Sequence, residues 1–91
     1  MKKIRIESHP DAARLLKLKV DKWPEWKEGK SEIPWTYVQN ETSYILEGRA
    51  IVIPEGGEPI EIRKGNLVTF PSGLACIWKI IEPVHKRFRI G

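Results

Sequence analysis

The chain is poor in sulfur and in histidine: its 91 residues include one cysteine (Cys76), one methionine and two histidines, His9 and His85. A lone cysteine excludes an intrachain disulfide framework, and with only two histidines a Cys/His zinc module is excluded too. No run approaches the roughly eighteen apolar residues that a membrane-crossing helix requires. The charged start Met1-Lys2-Lys3 leads into Ile4-Arg5-Ile6 rather than into an apolar signal core. A soluble cytoplasmic protein with no membrane partner is therefore expected. The length leaves room for one hydrophobic core, so residues 1–91 are read as a single domain.

Aromatic residues and charge are what the chain does have. Four Trp, two Tyr and two Phe supply large apolar area for so short a sequence. Lys and Arg outnumber Asp and Glu by 16 to 12, which alone would suggest a nucleic-acid partner. The distribution argues against that partner. Residues 31–62 carry six acids and one base, Arg49, whereas the flanking segments are basic. If the central segment pairs with the terminal ones in a sheet, cross-strand ion pairs neutralise the surplus locally.

Lys2 to Glu7 alternates like a half-buried strand, and Ser8-His9-Pro10-Asp11 supplies a capping residue in Ser8, a first-turn proline and an early acid for a helix of about two turns from Ala12. Val20 to Lys30 contains Trp23-Pro24-Glu25-Trp26, where the proline interrupts regular ladder bonding, and reads as a strap on the outside of the domain. From Ser31 onward, short strands alternate with turn signals, the pattern of a sandwich or barrel. The strands expected are 33–39, 42–53 interrupted at Gly48, 59–63, 67–70, 75–81 and 84–90. The last two are separated by Glu82-Pro83, and Pro54-Glu55-Gly56-Gly57-Glu58 is a hairpin turn.

Two stretches carry more than a generic strand pattern. The first is Glu41-Thr-Ser-Tyr-Ile-Leu-Glu47-Gly48; the second is Gly65-Asn-Leu-Val-Thr-Phe-Pro71-Ser-Gly73, continuing to Cys76 and Trp78. In this order and separation they resemble the two motifs of the cupin superfamily. With Trp35 and Val84-x-Lys86-x-Phe88 added, nearly the whole chain is similar to the branch named after the ureidoglycine aminohydrolase domain, and to small stand-alone cupins that share the Trp-Pro-x-Trp strap. The fold implied is all-β: a single-domain cupin jelly-roll barrel over residues 31–91, preceded by the strand, short helix and strap of residues 1–30.

In metal-binding cupins the first motif supplies two histidines and a glutamate, and the second supplies a third histidine. The resemblance places Glu41 at the glutamate, Trp35 and Tyr37 at the paired histidines, and Cys76 at the last histidine. An indole cannot ligate a metal and a neutral phenol does so poorly, so no metal site and no cofactor are expected. If Trp35 and Tyr37 face inward, then Cys76 and Trp78 do so on the partner strand, and Phe70 faces in beside them. The expected pocket is thus an aromatic cup of Trp35, Tyr37, Glu41, Phe70, Cys76 and Trp78, suited to a small organic ligand. Glu41 and Cys76 are its only candidate catalytic groups. A phenol-to-carboxylate bond from Tyr37 is one way to satisfy a buried Glu41.

Three functions are compatible with such a cup. The first is metal-independent binding of a small molecule by a homodimer, whose barrel edges need covering. The second, implied by the resemblance to ureidoglycine aminohydrolase, is a hydrolase or lyase on a small nitrogenous substrate with Glu41 as base and a weakly held metal, and the third is a filled, ligand-free structural module.

Overall fold

In the computed structural model, which describes residues 3–91, all the strands join one antiparallel sheet. β1 (Arg5–Glu7), helix α1 (Ala12–Leu18) and a single 3-10 turn (Val20–Lys22) precede β2 (Glu25–Glu28) and β3 (Ser31–Thr36). The main body is β4 (Glu41–Pro54), β5 (Ile60–Arg63), β6 (Leu67–Phe70) and β7 (Ala75–Ile90). The order is β1-β6-β4-β7-β2, with β3 added on β7 and β5 on β4, and the sheet rolls into a jelly roll. The all-β fold with one short helix is as expected. Lys2, placed above in the first strand, lies outside the described residues.

The long antiparallel pair β4 and β7 is the spine. β7 buries Cys76, Trp78, Ile80, Val84 and Lys86, all even positions, as the two-residue period of a strand dictates. β4 buries Glu41, Ser43 and Ile45 at its start but Ala50 and Val52 further on, an exchange of parity. Register shifts between Ile45 and Ala50 supply the extra residue that makes this exchange. Gly48 sits there with φ +96°, and a Cβ would overlap the Pro83 carbonyl oxygen on the facing strand, so the close crossing of the two chains requires glycine.

Three expectations change. The proposed break at Glu82-Pro83 is absent: Pro83 lies inside continuous β7, opposite the irregular part of β4, where no ladder donor is demanded of it. The helix is capped by Asp11, whose Oδ1 accepts from the Arg14 amide at 2.8 Å, and not by Ser8. The strap is part of the sheet, since Glu25–Glu28 pairs with Arg87–Val84 once Pro24 is passed. Its two indoles point inward. Trp23 is buried with Val20 and Leu67, and Trp26 packs on the main core.

Ion pairs couple the acidic centre to the basic flank in the buried Lys86 with Glu41 at 3.0 Å and the exposed Lys64 with Glu47 at 3.5 Å, whereas Arg49 with Glu82 at 3.1 Å joins the centre's one base to a flank acid. Exposed pairs of this kind are worth at most about 1 kcal/mol each.

Candidate functional site

The register of β7 with its neighbours builds a cup. On β2, Trp26 stands opposite Lys86; on β3, Ile33 stands opposite Trp78 and Trp35 opposite Cys76. The start of β4 closes the cup with Glu41 and Ser43. Between these strands lies a cavity of about 70 Å³ walled by Trp26, Ile33, Trp35, Tyr37, Glu41, Trp78, Lys86 and Phe88. Trp35, half-exposed, stands edge-on to Tyr37 at 6.4 Å, and Trp26 meets Trp78 edge-on at 6.0 Å.

The base of the cup is a buried ion pair. Lys86 Nζ donates to Glu41 Oε2 at 3.0 Å and to Ser43 Oγ at 3.1 Å, and Ser43 Oγ donates to the same carboxylate oxygen at 3.1 Å. Both charged residues are only 6–7% exposed. The ammonium also lies 4.7 Å from the Trp78 ring centre and 5.1 Å from that of Trp26, close enough for the ring quadrupoles to stabilise it. Burial pushes the Lys86 ammonium below its ordinary lysine range, and the charge and hydrogen bond of Glu41 pull it back up.

Four of the six expected pocket residues, Trp35, Tyr37, Glu41 and Trp78, are brought together around the cavity. Phe70 and Cys76 are not among its walls. Phe70 is fully buried behind Tyr37, stacked on it at 4.6 Å with planes 4° apart, and Cys76 belongs to the same core. The Tyr37 hydroxyl accepts the Trp78 indole N–H at 3.0 Å, and Glu41 is satisfied by Ser43 and Lys86 rather than by the phenol. Burial first, and the Glu41 charge second, raise the Tyr37 phenol well above its usual range, so it stays neutral.

Lys86 is the residue of the candidate site that sequence reasoning missed. The signal was present, because Lys86 is a charge at an inward parity position in the run Cys76, Trp78, Ile80, Val84, Lys86, Phe88. Trp26 was missed because its proline neighbour argued against a strand.

Burial pushes the Cys76 thiol up to about 11, with Lys86 acting in the opposite sense. This makes Cys76 a poor nucleophile near neutrality. The unfolded thiol, near 9, loses its proton first as pH rises, so the contribution of Cys76 to stability is intact below pH 9 and declines as pH rises towards 11. The wild-type protein is expected to lose stability relative to Cys76→Ala over that range in thermal melts. Parallel pH curves for the two proteins would refute the assignment.

A metal does not fit this cup. The residues at the positions that the resemblance assigns to histidine are an indole, a phenol and a core thiol, and the remaining carboxylate already holds an ammonium. Among the described residues no group of three His, Cys, Asp or Glu side chains converges on one point.

Residues 15–88 match the EutQ-like cupin domain. The chain belongs to the EutQ-like cupin family. A solved DUF861-family protein from Thermotoga maritima is 47% identical to this cupin, with 98% of this chain and 100% of that one covered and a TM-score of 0.95. A DUF861-family protein from Pseudomonas syringae (24% identity, 74% of this chain and 29% of that one, TM-score 0.66) shares the fold. So does the Clostridium difficile EutQ protein (17% identity, 70% and 50%, TM-score 0.64). This cupin therefore spans about half of that EutQ chain. No curated protein matches it. The superfamily expected from the two motifs is thus shown, in its EutQ-like branch. No helix among the described residues is long and apolar enough to cross a membrane.

Proposed function

We propose that this cupin binds a small, uncharged, partly apolar molecule in the aromatic cup without a metal. The observation that carries this reading is the internal neutralisation of the cup. Its one carboxylate and its one ammonium lie 3.0 Å apart, so the polar base has no net charge to offer an ion, while the surrounding rings offer a dry apolar wall. Polar recognition is still available. Glu41 Oε1 accepts no hydrogen bond from the described residues, and the Tyr37 hydroxyl hydrogen meets no acceptor among them. A ligand that donates to the carboxylate and accepts from the phenol, with an apolar remainder against Trp26 and Trp78, satisfies both.

A thermal-shift screen of small amides, alcohols, carbonyl compounds, amines and carboxylates tests this reading. Saturation at a hundred times Kd stabilises by about 2.7 kcal/mol. For a domain of this size that is a rise of more than about 10 °C. Uncharged compounds are expected to give the shifts. Trp35→Ala, at the half-exposed mouth, should abolish them while leaving the unliganded melting temperature nearly unchanged. Silence across the screen, or shifts confined to ions, would overturn the proposal.

A further inference from the structure

We propose that Lys86 is a carbonyl-capturing amine, and that the class of small molecule taken by the cup is a short aliphatic aldehyde, held as an imine on Lys86 Nζ. The inference deepens the binding reading above and rests on it.

Three geometric observations converge on this nitrogen. Lys86 is one of the residues that wall the cavity, and its Nζ lies among the rings of Trp26, Trp78 and Phe88, which wall it too. Two of its three N–H bonds go to Glu41 Oε2 and Ser43 Oγ; the third meets no oxygen or nitrogen acceptor among the described residues and has the Trp26 and Trp78 rings beside it. The carboxylate that would receive its proton is already hydrogen-bonded to it at 3.0 Å. A lysine removed from water among apolar side chains is the setting in which a free amine becomes available as a nucleophile. Burial acts in that direction on Lys86.

The chemistry balances with no outside reagent. Lys86 passes one proton to Glu41, and the freed lone pair forms a bond to the aldehyde carbon. The C=O π bond breaks and its oxygen takes the proton back from Glu41, giving a carbinolamine. The nitrogen lone pair then expels the hydroxyl, which leaves as water with the proton lost from nitrogen; Glu41 relays that proton, and Ser43, bonded to both groups, holds them in line. The sum is aldehyde plus lysine ammonium giving a protonated imine plus water, with the positive charge still beside the Glu41 carboxylate and no change of oxidation state. The cavity sets the size of the aldehyde. An enclosed space of roughly 150 Å³ holds benzene, so about 70 Å³ suits a chain of a few carbons whose end lies towards Trp35.

Reductive trapping tests the proposal on the intact native chain. Protein at pH 7 is treated with limiting butyraldehyde and cyanoborohydride, which reduces any imine to a stable secondary amine, and peptide mapping reads the modification of each lysine. The nine other lysines are internal references. Lys86 is expected to be modified about tenfold faster than their average, and butanol, which fits the cup but has no carbonyl, should protect Lys86 alone. Modification of Lys86 no faster than its references would overturn the proposal. If butanol nonetheless raised the melting temperature, the binding reading would stand and only imine formation would fail. Rapid labelling that butanol does not slow would support the amine while removing the cup as the binding site.

Discussion

Replacing Lys86 by methionine will cost about 3–5 kcal/mol of stability, the loss expected when one partner of a buried ion pair is removed. Glu41, 7% exposed, then keeps Ser43 as its one side-chain hydrogen-bonding partner among the described residues and becomes an uncompensated charge in an apolar cup. Against a total of about 5–15 kcal/mol for a typical domain, such a loss threatens folding at ordinary temperature. The double variant Lys86→Met/Glu41→Gln should recover most of it, because exchanging both charges for neutral groups of similar shape removes the desolvation cost along with the attraction. Chemical denaturation of the two single variants and the double variant yields the coupling energy directly. A loss below about 1 kcal/mol for Lys86→Met would mean that water reaches the pair, and the aromatic enclosure described here would be wrong.

Truncation of Phe70 to alanine should cost about 3–5 kcal/mol, for a different reason. Phe70 is completely buried, stacks on Tyr37 at 4.6 Å and lies 5.6 Å from Trp78, so it is the support behind the cup and not its wall. Removing the ring loses its transfer free energy and leaves a void that the flanking strands cannot close, because Glu41 on β4 is held in register opposite residue 70 by both β6 and β7. The void should extend the cup inward. Benzene is therefore expected to raise the melting temperature of Phe70→Ala and not that of the wild type. A stability loss under about 1 kcal/mol would show that Tyr37 slides into the space and that the stack is not structural.

These two effects also mark where sequence reading succeeds and where it stops. Trp35, Tyr37, Glu41 and Trp78 could be placed in one pocket because the cupin resemblance turned Trp35, Tyr37 and Glu41 inward and the two-residue period extended that face to Trp78. Phe70 was given the correct face, but parity cannot tell a cavity wall from the layer behind it; that depends on how far each ring reaches across the barrel. Cys76 illustrates the same limit, since its face was right and its depth was not. Asn66 shows both sides of that limit: its Oδ1 accepts from the Arg63 amide at 2.9 Å, a local turn bond that its residue type favours, while its Nδ2 donates to Ser8 O at 3.1 Å, 58 residues away. The first bond is short in sequence and legible there; the second depends on β1 lying beside β6.

By itself the sequence determined the all-β class, most strand positions and the aromatic character of the interior, which follow from residue type and from periodicity within a strand. That histidine is missing at the positions where metal-binding cupins place it comes from the resemblance of the two motifs. The tertiary structure alone decided that the strap becomes β2 and turns Trp26 into a wall of the cup, and that Lys86 rather than Tyr37 satisfies Glu41. Both depend on pairing between segments about sixty and forty-five residues apart. Sequence periodicity carries no information about which strand will lie beside which, and a buried charge finds its partner across the sheet rather than along the chain.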